Sequence, residues 1–275
     1  MTGKIGWGAL LLFFCCIGTC FSAPILESQV QEGHIGSPEL NEIFDLASLI
    51  DCRSRFEYDI LRMKNAVQVP AATLVRGDLD WLRKRNPRKA IVFYCNADTC
   101  SRSLSVFGQA EKWGVRNIYL SRPGIREWAK EHPDKVLYFG KILGNDNEDL
   151  DRLFAPDQSQ SNPLAPSKLV AASRQPGVLA VDIRDIVEGD QYTITLANLQ
   201  HYPVDRLVKF IKSGSRKVVG KKIFSLDAEG CQSSWRQFLF ADLQVPDYLF
   251  LKGGARAWQG QGLDEFGNSV HRAVK

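Results

Sequence analysis

"IVFYCNADTCSRSL", residues 91–104, holds the pattern that decides the fold. With Lys89 and Ala90 before it, the segment begins as "KAIVFYC", a continuous apolar run without alternation. Such a run fits a strand buried on both faces of a parallel sheet. The run stops at Cys95, a short polar stretch leads to Cys100, and "SRSLSVFGQAEKWG" follows. Leu104, Phe107, Ala110 and Glu111 recur at helical spacing, and Gly114 is a C-terminal stop. The unit is therefore strand, loop, helix.

The flanking sequence repeats this alternation. "FDLASLIDCR" reads as a short helix and a strand, "AVQVP" as an extended piece and "GDLDWLRKR" as a helix. "RNIYLS" is a further strand and "GIREWAKEH" a further helix. Strands alternating with helices imply an α/β fold, a small parallel sheet with helices on both faces.

The pattern occurs twice. "LIDCRSRFEYD" from Leu49 and "AVDIRDIVEGD" from Ala180 share Asp-x-Arg-x-x-x-Glu, as Asp51, Arg53, Glu57 and Asp182, Arg184, Glu188. "VRNIYLSRPGIREW" matches "VPDYLFLKGGARAW", so that Val115, Gly124 and Trp128 pair with Val245, Gly254 and Trp258. Two matches in one order and at nearly one separation argue for duplicated domains. We expect these over residues 38–142 and 169–262. Residues 143–168, acidic and then rich in Ser, Gln and Pro, form a linker with a short helix around Leu150–Phe154. Asp51 and Arg53 are read as scaffold, holding strand to loop by charge pairing. Trp128 and Trp258 are read as core.

Composition narrows the function. The chain has 275 residues, 44% hydrophobic and 24% charged, with a formal net charge of +4. It has no dense Lys/Arg run with interleaved aromatics, which argues against nucleic-acid binding. Residues 1–22 have the charged, apolar and small-residue regions of a secretory signal peptide, so we expect export to the periplasm and no membrane association after cleavage. A retained single-span anchor is the alternative. Three of the seven cysteines fall in this segment, leaving Cys52, Cys95, Cys100 and Cys231. These have no zinc spacing with the four scattered histidines, and neither a metal nor an organic cofactor is expected.

Ligands of parallel α/β sheets bind beyond the carboxyl ends of the strands, where Cys95 stands. A helix starting near Ser101 would turn its free N–H groups to the loop, attract anions and favour a thiolate. Arg102 would add positive charge. Cys100 has three readings: a disulfide with Cys95, a resolving thiol, or packing at the helix start. A phosphatase loop needs Cys-x5-Arg, but Ser101 is sixth after Cys95 and Arg102 comes one later.

With "IDCRSRFEY", "AVQVP", "IVFYC", "GVRNIYL" and "PGIREW" in this order, the chain resembles the rhodanese-like sulfurtransferases, in two tandem copies. The resemblance implies that Cys95 takes a sulfane sulfur from a small anionic donor such as thiosulfate, holds it as a persulfide and passes it to a thiol or other thiophilic acceptor. It also implies that the backbone N–H groups of Asn96 to Ser101 cradle the persulfide or the donor's anionic end, so that Asn96, Ala97, Asp98, Thr99, Cys100, Ser101 and Arg102 form the donor-binding loop. In copy two, "KKIFSLDAEGCQSSW" puts Leu226 or Asp227 at the nucleophile position, so that copy reads as silent. Two further readings remain: a non-catalytic extracytoplasmic binding module, and a Cys95/Cys100 thiol–disulfide redox protein.

Overall fold

The computed structural model describes residues 33–97, 100–145, 147–154, 163–164, 166–189, 192–194, 196, 198–235 and 248–260. The expected signal segment, Asp98 and Thr99 lie outside the described residues. The strands of the first half are β1 (His34–Ile35), β2 (Ala47–Asp51), β3 (Leu61–Met63), β4 (Val67–Gln68), β5 (Ala90–Tyr94), β6 (Ile118–Ser121), β7 (Val136–Tyr138) and β8 (Lys141–Ile142). Those of the second are β9 (Pro163–Leu164), β10 (Val178–Asp182), β11 (Gln200–His201), β12 (Lys222–Leu226) and β13 (Tyr248–Leu251).

Two five-stranded sheets result, in the orders β1-β6-β5-β2-β4 and β9-β13-β12-β10-β11. Every pairing in both is parallel. The orders are equivalent strand for strand, so the repeat in the sequence is a repeat of topology. The second sheet recruits Pro163–Leu164, upstream of residue 169, because β9 completes the edge beside β13.

The apolar run of β5 works as its composition demands. Ile91 and Phe93 face one hydrophobic cluster, with Val106, Phe107 and Ala110 of helix Ser101–Lys112 and with Leu79 and Leu82 of helix Arg76–Arg85. Val92 and Tyr94 face the other, with Trp128 and Ala129 of helix Ile125–Glu131. β12 does likewise, with Ile223 in one cluster and Phe224 and Leu226 in another, which also holds Trp258. Leu104 departs from expectation. It is 45% exposed, and the buried face of its helix is instead Ser101, Arg102, Ser103, Val106, Phe107 and Ala110. The face is turned because Arg102 is drawn inward by the buried Glu57 carboxylate.

A three-stranded antiparallel sheet, β3-β7-β8, has no counterpart in our reading of the sequence. Its strands are two or three residues long, too short to show a period. The expected linker helix spans Asn147–Phe154. Among the described residues no helix is long and apolar enough to cross a membrane.

Candidate functional site

Cys95 follows directly on β5, the central strand of the first sheet, and Cys100 is the residue before helix Ser101–Lys112. The two are joined in a disulfide with Cα atoms 6.1 Å apart. Both are buried. The first of the three readings of Cys100 is therefore the one the structure adopts. Helix Ile125–Glu131 closes over the loop: Ile125 N donates to Cys95 O at 2.9 Å. A Cβ on Gly124 would lie 1.7 Å from Asn96 O, so only glycine allows this approach.

The register identifies the equivalent positions in the second unit. Asp51 pairs with Tyr94, and Asp182 with Leu226, so Asp227 is the counterpart of Cys95. The closing helix confirms it, with Ala255 N donating to Asp227 O at 2.7 Å. The Asp227 carboxylate accepts from Gly230 N at 2.6 Å within its own loop. A carboxylate thus occupies the second loop, and it offers no sulfur nucleophile. Cys231 and Cys52 remain thiols. Burial, then Asp227 and Glu229, push the Cys231 thiol up to about 12. Burial pushes Cys52, packed in the core, higher still.

The scaffold pairs expected from the repeat are present in both units. Arg53 donates Nε to Asp51 Oδ1 at 2.9 Å and Nη2 to Oδ2 at 2.7 Å. Arg184 and Asp182 make the same two bonds at the same distances. Arg53 also bonds Leu61 O, tying β2 to β3.

Glu57 is the hub beneath the loop. It closes a capping box with Ser54 at the start of helix Arg55–Ile60. Its carboxylate also accepts from Arg102 Nη1 at 2.7 Å and Nη2 at 3.2 Å, and from Asn96 Nδ2 at 2.6 Å. Burial opposes ionisation of Glu57, but Arg102, Arg53 and Asn96 outweigh it and hold the carboxyl down at about 2.

This corrects one expectation for the loop. The Arg102 charge is spent on Glu57 in the interior and does not face a donor in the loop. The Asn96 side chain likewise points into the scaffold, with Oδ1 accepting from Arg53 Nη1 at 3.3 Å. Ser101 is buried at the helix start. Of the expected binding residues, Asn96 and Ala97 line an adjoining cavity of about 440 Å³, together with Gly124, Arg126, Glu127, Lys130 and Glu131. Arg126 and Lys130, one helical turn apart, were missed; only that spacing could have drawn attention to them.

The second unit was the larger omission. Glu188 approaches Arg102 Nε at 3.3 Å, Gln232 Nε2 donates to Glu57 at 3.3 Å, and Trp235 Nε1 donates to Asn96 Oδ1 at 2.9 Å. Asp205 accepts from Arg55 N at 2.9 Å and Phe56 N at 2.8 Å, capping a helix of the first unit. Arg102 pulls the Glu188 carboxyl down, although its Nε makes no hydrogen bond among the described residues. Burial, with Asp185 and Glu57 nearby, pushes Glu188 up to about 8.

A pH dependence follows. The folded protein keeps Glu188 protonated up to about 8, whereas the unfolded chain releases this proton near its ordinary value of 4.5. The unfolded state thus binds fewer protons in this window, and stability falls as pH rises through it. Glu57 acts at the other end: its contribution is present above 4.5 and is lost as pH falls toward 2. We expect Glu188→Gln to flatten the fall between about pH 5 and pH 8, raising stability at the upper end by on the order of 4 kcal/mol relative to the lower. Melting curves across that range would show it. Parallel profiles for variant and parent would mean that Glu188 is already ionised in the fold.

Residues 37–131 match the rhodanese-like domain. Among solved structures the chain is similar to the BH2092 protein of Bacillus halodurans, at 19% identity, covering 46% of this chain and 88% of that one with a TM-score of 0.35. It is similar to a thiosulfate sulfurtransferase from Pseudomonas aeruginosa at 17% identity, covering 81% and 45%, TM-score 0.35. A human single-domain sulfurtransferase is similar at 22%, covering 37% and 98%, TM-score 0.30. Comparison with curated proteins gave no match.

Proposed function

We propose that the protein is a sulfurtransferase in which Cys95 carries a sulfane sulfur between an anionic donor such as thiosulfate and a thiophilic acceptor. The observation that carries this reading is the position of Cys95. It ends the central strand of a rhodanese-like domain and opens the loop into helix Ser101–Lys112. Reduction of the Cys95–Cys100 disulfide by a dithiol gives two thiols and an oxidised donor disulfide. The Cys95 thiolate then attacks the sulfane sulfur of thiosulfate. A new S–S bond forms, the donor's S–S bond breaks, and sulfite leaves with the electron pair. An acceptor thiolate attacks the outer sulfur of the persulfide, and Cys95 leaves as thiolate. The free N–H groups at the helix start favour that thiolate.

The second unit, with the same strand order and an aspartate at the nucleophile position, is in this proposal a second rhodanese-like domain without activity. Export, read from the first 22 residues, belongs to the same proposal and is compatible with a disulfide.

The disulfide favours a second reading, in which Cys95 and Cys100 act as a redox couple. Cys100→Ser separates the two. Under sulfur transfer, the variant takes up sulfur from thiosulfate without prior reductant, at the rate the parent reaches only after reduction. Under the redox reading, losing Cys100 costs as much as losing Cys95. Intact-protein mass spectrometry before and after thiosulfate, with and without reductant, distinguishes them.

A further inference from the structure

Resting on the sulfur-transfer reading, we propose that Trp235 of the silent unit is a positioning residue for Cys95, acting through Asn96. Trp235 belongs to the 3-10 turn Gln232–Trp235, which follows the loop opened by Asp227. That loop is the counterpart of the Cys95 loop. The indole is fully buried, yet it lies in the hydrophobic cluster of the first unit, with Trp128, Ile125 and Leu153. Arg53 and Arg126 lie over it, 5.5 and 5.3 Å from the ring centroid. A buried indole N–H needs an acceptor. Here the acceptor is the side chain of the residue directly after the proposed nucleophile.

Asn96 has little freedom left. Arg53 and Trp235 are donors only, so its Oδ1 must face both, and its Nδ2 is then turned to Glu57. Three bonds fix the amide, and with it the first backbone turn after Cys95. Trp235 alone among these partners comes from the second unit. The counterpart loop thus carries an aspartate at the nucleophile position and supports the other loop.

The test uses the full chain with Trp235→Phe, which keeps an aromatic ring and deletes the N–H. In reduced protein, alkylation of Cys95 by iodoacetamide is followed against pH by peptide mass spectrometry. The expected result is alkylation about tenfold slower near neutral pH, a midpoint moved upward and an unchanged high-pH plateau, as a slightly misplaced loop costs about that much or more. A packing role alone would lower the melting temperature and leave the midpoint in place. A profile superimposable on that of the parent overturns the proposal. If Trp235→Phe does not melt cooperatively, Asn96→Ala, which removes the acceptor, is read in its place by the same criterion. Sulfur uptake from thiosulfate is measured alongside. A parent that takes up no sulfur refutes the sulfur-transfer reading, while the alkylation midpoint still decides the role of Trp235.

Discussion

Cys95→Ser abolishes sulfur uptake. In the parent, after reduction, thiosulfate should add one sulfur atom to the mass of the protein, and this gain should vanish in the variant. Turnover with a thiol acceptor should fall at least about a thousandfold, because the hydroxyl is neither thiolate nor able to hold a sulfane sulfur at neutral pH. Cys231→Ser should leave both readouts unchanged, since burial and two carboxylates push that thiol up to about 12 and keep it protonated. The fold should survive the substitution: the disulfide that it deletes is equally absent from the reduced parent, serine is smaller than cysteine, and the contact with Ile125 is made by the backbone carbonyl of residue 95. Full sulfur gain in Cys95→Ser would move the carrier to another cysteine and end the proposal.

Glu57→Gln is expected to be the most damaging single change to stability. The carboxylate joins the capping box at Ser54, the bidentate pair with Arg102, the amide of Asn96 and the amide of Gln232. Glutamine keeps the volume but leaves the buried Arg102 guanidinium without its main counter-charge. Breaking a buried pair from one side costs about 3–5 kcal/mol. Glu188 moderates the loss, because it can ionise beside Arg102 once Glu57 no longer repels its charge. The lower end of that range is therefore expected, or roughly a 12–24 °C fall in melting temperature for a domain of about 100 residues. Glu57→Gln combined with Glu188→Gln should fall further than the two single effects added, since the replacement charge is then gone too. A loss under about 1 kcal/mol in Glu57→Gln would show that the Arg102 charge is satisfied elsewhere.

Much of the fold was legible because it rests on local pattern. The run at residues 90–94 could satisfy both its faces only in a covered parallel sheet, and Asp51–Arg53 and Asp182–Arg184 form bonds within three residues of each other. The helix beginning at Ser101 was legible as a helix, but its buried face was not. Hydrophobic periodicity points to Leu104, whereas the fold turns Arg102 inward, because the buried Glu57 carboxylate outweighs one leucine.

The sequence by itself determined the strand–loop–helix unit, its repetition, the glycines of the closing helices and the cysteine at the end of the central strand. These depend on the period of side chains along one segment and on the conformations one residue allows. The tertiary structure alone decided that Cys95 is bonded to Cys100, that Arg102 and Asn96 serve the scaffold, and that Asp227 is the counterpart of Cys95. It alone placed Trp235 and Glu188 of one unit against the loop of the other. Those contacts join residues as much as 139 positions apart. No periodicity spans such a distance, and a buried charge or indole N–H chooses its partner only when packing has excluded water.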